Sequence, residues 1–216
     1  MASFDFAESR LLAEIYAGAL ERAGVPVRRT LGLGPRELLA PALVSGLVDV
    51  VPEYAGTAVQ FLSLGRAVPE PDVTATHAAL VGALDGSPAQ ALAPAPAQDA
   101  NAFVVRRAVA DRLGLATLSD VQGAARRLTF GGPPECATRP LCLDGLRDVY
   151  GIKFAEVVAL DAGGPLTRQA LATGIVDVAL LFSTDPAIVD DDLVELVDDR
   201  ALQPAENVTP IVRRAA

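Results

Sequence analysis

The sequence is poor in the residues from which most enzyme and metal sites are built. It has no tryptophan, one histidine and two cysteines, and aromatic residues make up 5% of its 216 residues. His77 lies in a helical pattern among alanines, where a surface or partly packed histidine is expected, and one histidine with two cysteines is too few for a zinc site. There is no glycine-rich phosphate loop and no nucleophile elbow. We therefore expect no metal, no cofactor and no catalytic centre.

Basic clusters and long apolar runs are also missing. The net charge is −9, which argues against nucleic acid because phosphate groups need a stripe of Lys and Arg. No apolar run reaches the roughly 18 residues that would span a bilayer. The first residues, MASFDF, show no basic region followed by an apolar one, so no signal peptide is predicted. The protein is then either cytoplasmic or exported by a segment that is absent from this sequence.

The two cysteines bear on that choice. Cys136 and Cys142 lie six residues apart in the proline-rich loop GGPPECATRPLC. We expect a disulfide between them, which would stabilise the fold by about 2 kcal/mol in the loop-entropy model. Two free thiols are the alternative. A disulfide would indicate an oxidising compartment outside the cytosol.

The sequence is rich in short apolar segments that alternate with amphipathic helices. Alanine, valine and leucine must supply the core, because 51% of the residues are hydrophobic while few are aromatic. The alternation predicts an α/β class with largely parallel sheets. The predicted helices are 7–23, 35–44, 73–84, 108–113, 143–150 and 166–173, and the predicted strands are 3–6, 25–29, 47–51, 101–106, 128–130, 157–160, 193–197 and 208–212.

One segment is present twice. Residues 42–57, ALVSGLVDVVPEYAGT, and residues 170–185, ALATGIVDVALLFSTD, begin 128 residues apart and share Ala-Leu, a glycine and Val-Asp-Val. This spacing is too long for a solenoid repeat and suits two similar α/β lobes, each with one helix–strand–loop unit. Chance similarity between two alanine-rich segments is the alternative.

The first copy is predicted to end at a ligand-binding edge. Gly46 should stop a helix, residues 47–51 should form a buried strand, and Pro52 should end that strand because proline lacks a backbone donor. Residues 53–57 would then be a polar turn at the carboxyl end of the strand, which is the edge where open α/β sheets bind ligands.

Both copies finish with an aromatic residue and a threonine, Tyr54 and Thr57 in the first and Phe182 and Thr184 in the second. Residues 183–185 have no histidine nearby in the sequence, so we interpret them as a helix N-cap rather than a catalytic group. The acidic runs 190–192 and 198–199 are interpreted as solvated turns.

The ordered set of motifs resembles a known family. The segments PEYAGT, AQDANAFVV, LSD, GGPPECATRPLCLDGL, YGI, ALATGIVDV, FSTD, DLVELVDD and NVTPIVR follow one another over nearly the whole chain, from Phe4 to Arg213. In this order and spacing they resemble the quaternary-ammonium substrate-binding proteins of bacterial ABC importers, which take glycine betaine, choline or carnitine.

The resemblance implies a two-lobed fold of the type II periplasmic-binding-protein kind, in which each lobe is a mainly parallel sheet flanked by helices and two crossing strands join the lobes. Lobe 1 is expected over residues 1–100, lobe 2 over 101–207 and the return crossing over 208–216. The implied protein is extracytoplasmic, either periplasmic or a cell-surface lipoprotein. It traps an osmoprotectant-like ligand in the interlobe cleft by hinge closure, docks on a membrane permease and catalyses no reaction.

The family's site is a cage of tyrosines around the trimethylammonium group, and a cation over aromatic faces is worth about 2 kcal/mol or more when desolvated. By position, Tyr54 matches a cage tyrosine, and Phe182 stands where a tyrosine is usual. Asn101 and Glu206 stand where further tyrosines are expected. Glu206 could attract the cation by its charge, or it could mark a different and more polar ligand.

Polar residues complete the implied site. Thr57 matches a polar contact beside the cage, and Thr184 closes the second copy in the same way. Asp99 stands at the acidic position of the first crossing. Arg139, in the cysteine loop, stands where an arginine can hold the anionic end of a ligand.

The end of the sequence departs from the family. Family members continue past the return strand with helices that complete the first lobe, whereas this sequence stops at Ala216. We expect either that the chain is part of a longer one or that the lobe closes by packing against another chain, as an oligomer. Two other functions stay open. One is a ligand-sensing domain of the same architecture without a permease, and the other is an α/β enzyme whose site is unrecognised.

Overall fold

A computed structural model describes residues 1–67 and 70–214 of the chain. The chain divides into two compact units, one made of Met1–Gln98 with the residues from Ala205 onward and the other of Asp99–Pro204. The predicted boundaries at residues 100 and 207 fall slightly later. Glu206, which the predicted ranges assign to lobe 2, therefore belongs to the first unit. The last two residues of the predicted return crossing, 208–216, lie outside the described residues.

The first unit contains a small antiparallel sheet flanked by helices. The sheet has the order β1–β8–β2. Its core joins Val51 of β1 and Ile211 of β8 to the buried faces of the helices, including Leu39 and Val59. The elements are α1 (Ala7–Arg22), α2 (Arg36–Val44), β1 (Val50–Tyr54), α3 (Ala55–Leu62), α4 (Val73–Ala83), β2 (Ala89–Ala91) and β8 (Val208–Arg213).

The second unit contains a mixed sheet with the order β5–β4–β6–β3–β7. Strand β4 pairs in parallel with β5 and β6, whereas β3 pairs antiparallel with β6 and β7. The elements are β3 (Asn101–Arg106), α5 (Arg107–Leu113), α6 (Leu118–Val121), β4 (Thr129–Gly132), α7 (Leu143–Tyr150), β5 (Glu156–Ala159), α8 (Pro165–Thr173), β6 (Val178–Phe182), α9 (Ala187–Asp190) and β7 (Leu193–Glu195), with 3₁₀ turns at Ala125–Arg127 and Pro134–Thr138.

The α/β class is confirmed, and every predicted helix lies within one residue of its observed bounds. Strand pairing is more mixed than predicted, because the named strands of the first unit pair antiparallel. The predicted strands at 3–6 and 25–29 are wrong. In the part of the chain that the structure describes, that region has a single bridge between Ala2 and Thr30.

The prediction that Pro52 ends its strand is wrong as well. Strand β1 continues through Pro52 to Tyr54, and Pro52 lies directly opposite Pro210 of β8. The carbonyl of Pro210 accepts the N–H of Leu92 on the other side of β8, so the two prolines face each other at a position without hydrogen bonds. No ladder bond is lost there, which is why proline is tolerated on this edge strand. The predicted turn at 53–57 is instead the end of β1 and the start of α3.

The duplicated segment corresponds to the same structure in both units. Strands β1 and β6 occupy the same positions of the repeat, and each follows a helix that stops at a glycine. Gly46 and Gly174 have φ angles of +77° and +78°, a left-handed conformation that favours glycine. The Val-Asp-Val sequence thus leads into a buried strand in each unit.

An ion pair accompanies each copy. Asp49 pairs with Arg213 at 2.7 Å, and Asp177 pairs with Arg106 at 3.8 Å. Both arginines lie on the strand that runs antiparallel to the repeated strand. The similarity between the two copies therefore extends to a neighbouring strand, which makes chance similarity the poorer explanation.

The predicted disulfide between Cys136 and Cys142 is present, and both residues are buried. It closes the segment that follows β4. Among the described residues, no helix combines the length and the apolar character needed to cross a membrane.

Candidate ligand-binding site

In the first unit, Tyr54 is held at the carboxyl end of β1. Its hydroxyl donates a hydrogen bond to Glu8 Oε1 at 2.9 Å. Its ring centroid lies 6.4 Å from that of Phe4 and 5.8 Å from that of Phe6. The ring is therefore fixed among aromatic neighbours that come from the start of the chain, and only 5% of the residue is exposed.

Thr57 and Glu206 meet at the first turn of α3. The backbone N–H of Thr57 donates to both carboxylate oxygens of Glu206, at 2.9 and 3.1 Å. Helix N-termini carry partial positive charge and unpaired N–H groups, so the carboxylate serves as a cap supplied from a distant part of the chain. Burial raises the pKa of Glu206 to about 8. The hydrogen bond from Thr57 and the charge of Arg36 oppose this rise, and the charge of Glu53 adds to it.

Two charged residues that the sequence analysis missed complete this cluster. Arg36 donates from Nε to Glu53 Oε1 at 3.0 Å and from Nη2 to Glu53 Oε2 at 2.8 Å. The same Nη2 donates to the hydroxyl of Thr57 at 3.0 Å, and the guanidinium lies 5.1 Å from the ring centroid of Phe4. Glu53 lies within the PEYAGT motif and could have been noticed there, whereas nothing in the sequence connects Arg36 to it.

In the second unit, Asp99 holds the turn that follows β6. Its Oδ1 accepts hydrogen bonds from the hydroxyl of Ser183 at 3.2 Å, from the hydroxyl of Thr184 at 3.1 Å and from the backbone N–H of Thr184 at 3.2 Å. The N-cap predicted at residues 183–185 is not observed, because Pro186 is the N-cap residue of α9; the carboxylate of Asp185 accepts the N–H of Ala187 from one position earlier. Ser183 and Thr184 bind Asp99 instead.

Asn101 and Phe182 face each other where β3 begins and β6 ends. The side-chain amide of Asn101 donates to the carbonyl of Leu141 and to Gln203 Oε1, both at 3.1 Å. Phe182 is half-buried beside the loop after β5, where a Cβ added at Gly163 would come within 3.1 Å of the ring. The hydrogen bond from Asn101 to Leu141 connects β3 to the segment that the disulfide closes.

Arg139 lies in that disulfide-closed segment and is half-buried. Its backbone N–H donates a hydrogen bond to the carbonyl of Cys136 at 3.2 Å. The segment begins at the carboxyl end of β4, which is parallel to β6, so both strands end at the same edge of the sheet. The second unit therefore gathers its predicted residues at one edge: Asp99, Asn101, Arg139, Phe182 and Thr184.

The sequence analysis also missed three supporting residues here. Asp198 was predicted to lie in a solvated turn. Its carboxylate instead accepts the backbone N–H groups of Leu202 and Gln203 at 2.9 and 2.7 Å. Asp198 thereby positions Gln203, which accepts a hydrogen bond from Asn101. Asp161 caps α8 by accepting the N–H groups of Leu166 and Thr167 at 3.0 and 2.8 Å. Burial alone would raise the pKa of Asp161, but the hydrogen bonds from Thr167 and Leu166 hold it below its usual value.

The fold is that of the type II periplasmic binding proteins. A solved structure described as a glycine betaine/carnitine/choline ABC transporter superposes with a TM-score of 0.70 at 23% identity, over 98% of this chain and 78% of that one. Two curated relatives are similar in sequence. The glycine betaine-binding protein YehZ of Escherichia coli K12 is 30% identical over 96% of this chain and 71% of its own length, and the glycine-betaine-binding protein of Pseudomonas aeruginosa PAO1 is 30% identical over 97% and 69%.

Residues 1–216 match the family described as the substrate binding domain of ABC-type glycine betaine transport systems, and the chain belongs to that family. It is thus a substrate-binding component of an ABC importer. Such components capture a small ligand outside the cytoplasm and deliver it to a membrane permease. Which residues meet the ligand, and whether the clusters of the two units share it, stay predictions.

Proposed function

We propose that this protein binds a small quaternary-ammonium solute such as glycine betaine or choline. The observation that carries the proposal is the first-unit cluster, in which the buried ring of Tyr54 packs with Phe4 and Phe6 and the adjacent residue Glu53 is paired with Arg36. Aromatic faces favour a cation over a neutral solute.

The second unit is proposed to supply the rest of the site. Phe182 offers another aromatic face, and Asp99, Asn101 and Thr184 offer hydrogen-bonding groups at the same sheet edge. Arg139 would hold the anionic end of a ligand that has one. With two aromatic faces in place of a full cage, we expect weaker and more salt-dependent binding than a complete tyrosine cage would give.

The protein is proposed to work in the periplasm or on the cell surface as a lipoprotein. The support is its family and the disulfide between Cys136 and Cys142, which persists in an oxidising compartment. No catalytic step is proposed.

Calorimetry with matched ligands tests the ligand class. We expect glycine betaine, choline, carnitine or proline betaine to bind with a Kd below millimolar. The matched control is 3,3-dimethylbutan-1-ol, which has the shape of choline without its charge. It should bind at least tenfold more weakly than choline, because a desolvated cation–π contact is worth about 2 kcal/mol. If no quaternary ammonium compound binds at millimolar concentration while an uncharged solute does, the ligand class is wrong.

A further inference from the structure

Three aromatic rings form one cluster in the first unit. The rings of Phe4 and Phe6 are stacked, with centroids 5.9 Å apart and planes at 12° to each other. The ring of Phe6 also lies 5.8 Å from that of Tyr54. Phe6 therefore contacts both of the other rings, although the motifs of the sequence include Tyr54 alone.

The three rings differ in how much surface they can offer to a ligand. Phe4 is 4% exposed and Tyr54 is 5% exposed, whereas Phe6 is half-buried. The face of Phe4 already has a cation beside it, because the guanidinium of Arg36 lies 5.1 Å from the ring centroid. Phe6 is thus the ring of this cluster with the most surface available for a ligand.

The position of Phe6 in the backbone is unusual for its residue type. Phe6 is the N-cap residue of α1, and its side chain makes no capping hydrogen bond. Ser, Thr, Asp and Asn are favoured at this position because their side-chain oxygens accept an N–H group of the first turn. An aromatic residue that deprives a helix of its cap and stays half-buried breaks a local rule, and such exceptions are expected at functional sites.

The charges in contact with the cluster do not oppose a cation. Arg36 is paired with Glu53 through Nε and Nη2, at 3.0 and 2.8 Å, so its positive charge is largely balanced. Glu8, one residue into the first turn beyond Ala7, accepts the hydroxyl of Tyr54. The aromatic rings therefore adjoin one carboxylate and one paired guanidinium.

We propose that Phe6 is a specificity-determining residue of the first unit, whose ring face receives the cationic head group of the ligand. The inference rests on the proposed function and deepens it, because it adds a ligand contact that comes from the N-cap of α1. A ring face distinguishes a quaternary ammonium group from a neutral group of the same shape, since only the cation is attracted by the ring quadrupole.

The test measures choline and its neutral analogue 3,3-dimethylbutan-1-ol by calorimetry on Phe6→Leu, which keeps an apolar side chain and removes the ring. Choline binding should weaken about fivefold or more, and binding of the analogue less than about twofold. Phe6→Tyr keeps a ring face and should retain the wild-type ratio of the two affinities. The matched control is Phe154→Leu, which removes a half-buried ring that is stacked at 5.2 Å on Phe130 in the second unit, and the ratio should be unchanged.

The outcomes separate a ligand contact from a packing role. An unchanged ratio in folded Phe6→Leu, or equal weakening of both ligands, would overturn the proposal, because a ring that only supports Tyr54 would not distinguish charge. A wild type that binds choline while Phe6→Leu behaves as the wild type rejects this inference alone. A wild type that binds no quaternary ammonium compound rejects the proposed function and this inference with it.

A fluorescent variant decides the question even if Phe6→Leu fails to fold. The chain has no tryptophan, so Phe6→Trp introduces a single indole at the proposed contact, and tryptophan is the best of the aromatic side chains for binding a cation. Choline should change the emission of Phe6→Trp and leave that of Phe154→Trp unchanged. Emission of Phe6→Trp that stays constant up to saturation with choline would contradict the contact.

Discussion

At the scale of single residues, Glu206 affects both the capping of α3 and the pH dependence of stability. It reaches Thr57 from 149 positions along the chain, and it lies close enough to Arg36 and Glu53 for all three charges to influence one another. A buried carboxylate whose pKa is raised binds its proton more tightly in the folded protein than in the unfolded chain. Glu206 therefore makes the stability of the first unit depend on pH.

We expect Glu206→Gln to remove a pH-dependent part of that stability. The pKa of Glu206 is about 8 in the folded protein and 4.5 without these interactions. Between pH 4.5 and pH 8 the folded protein therefore holds a proton that the unfolded chain has lost. The contribution is fully present below pH 4.5 and is lost as pH rises through about 8. Between pH 5 and pH 9 the Tm of the wild type should fall by roughly 5 °C more than that of the variant.

Thermal unfolding in matched buffers from pH 5 to pH 9 measures this difference. Glu156→Gln is the control, because it removes an exposed carboxylate and should follow the wild-type curve. Parallel curves for wild type and Glu206→Gln would show that the proton is held elsewhere.

At the scale of elements, the segment closed by the disulfide depends on two supports. One is the covalent bond between Cys136 and Cys142, and the other is the close approach of α7 to the carbonyl of Pro140. Leu141, in the same segment, accepts hydrogen bonds from Asn101 and from Gln203. We therefore expect changes in this segment to displace Asn101 at the candidate site.

Replacing both cysteines by serine should lower the free energy of unfolding by about 2 kcal/mol, because the bond restricts a short loop in the unfolded chain. Denaturant unfolding with and without reductant measures the loss. Reductant should lower the wild-type midpoint and leave the double variant unaffected. Titration of the denatured, unreduced protein should find no free thiol, and two free thiols would contradict the bond.

The approach of α7 is tested by Gly145→Ala. A Cβ at Gly145 would come 2.0 Å from the carbonyl oxygen of Pro140, so the variant must push the segment away from the helix. We expect a loss of about 1–3 kcal/mol of unfolding free energy together with weaker ligand binding. Gly82→Ala is the matched control, since it is also a helical glycine but has no atom within 4 Å of the added Cβ. It should be neutral or stabilising by up to about 1 kcal/mol. Equal stability of the two variants would rule out the contact as a support.

At the scale of the whole molecule, the question is whether the clusters of the two units bind one ligand. Tyr54 and Phe182 occupy equivalent positions of the duplicated segment, one in each compact unit. The sequence resemblance predicts that their rings flank the same cation from opposite lobes. This arrangement stays a prediction.

We expect Tyr54→Ala and Phe182→Ala each to weaken binding of the same quaternary ammonium ligand by roughly 1–2 kcal/mol, the size of one cation–π contact with its packing. Calorimetry should give one ligand per chain throughout. Phe154→Ala is the control, because it removes a half-buried ring that packs on Phe130 in the second unit. It should reduce stability and leave the affinity unchanged. Loss of binding in one of the two site variants alone would reject the shared site.

The sequence predicted those features that a few neighbouring residues specify. The left-handed stops at Gly46 and Gly174, the helix bounds and the local disulfide all depend on contacts within a short stretch of chain. The duplicated segment and the ordered motifs were sufficient to predict the α/β class and the family. Parallel strands place their carboxyl ends together, and the candidate residues of the second unit lie at that edge of its sheet.

The tertiary structure decided what depends on distant partners. Pro52 stays within a strand because Pro210 lies opposite it at a position without hydrogen bonds. Helix α3 begins at Ala55 with its N–H groups capped by Glu206, and Arg36 finds Glu53 across the fold. Proline geometry, helix capping and charge pairing are each satisfied there by a residue that sequence periodicity cannot reveal. Local propensity acts over a few residues, whereas these pairings form only when chain closure brings remote segments together.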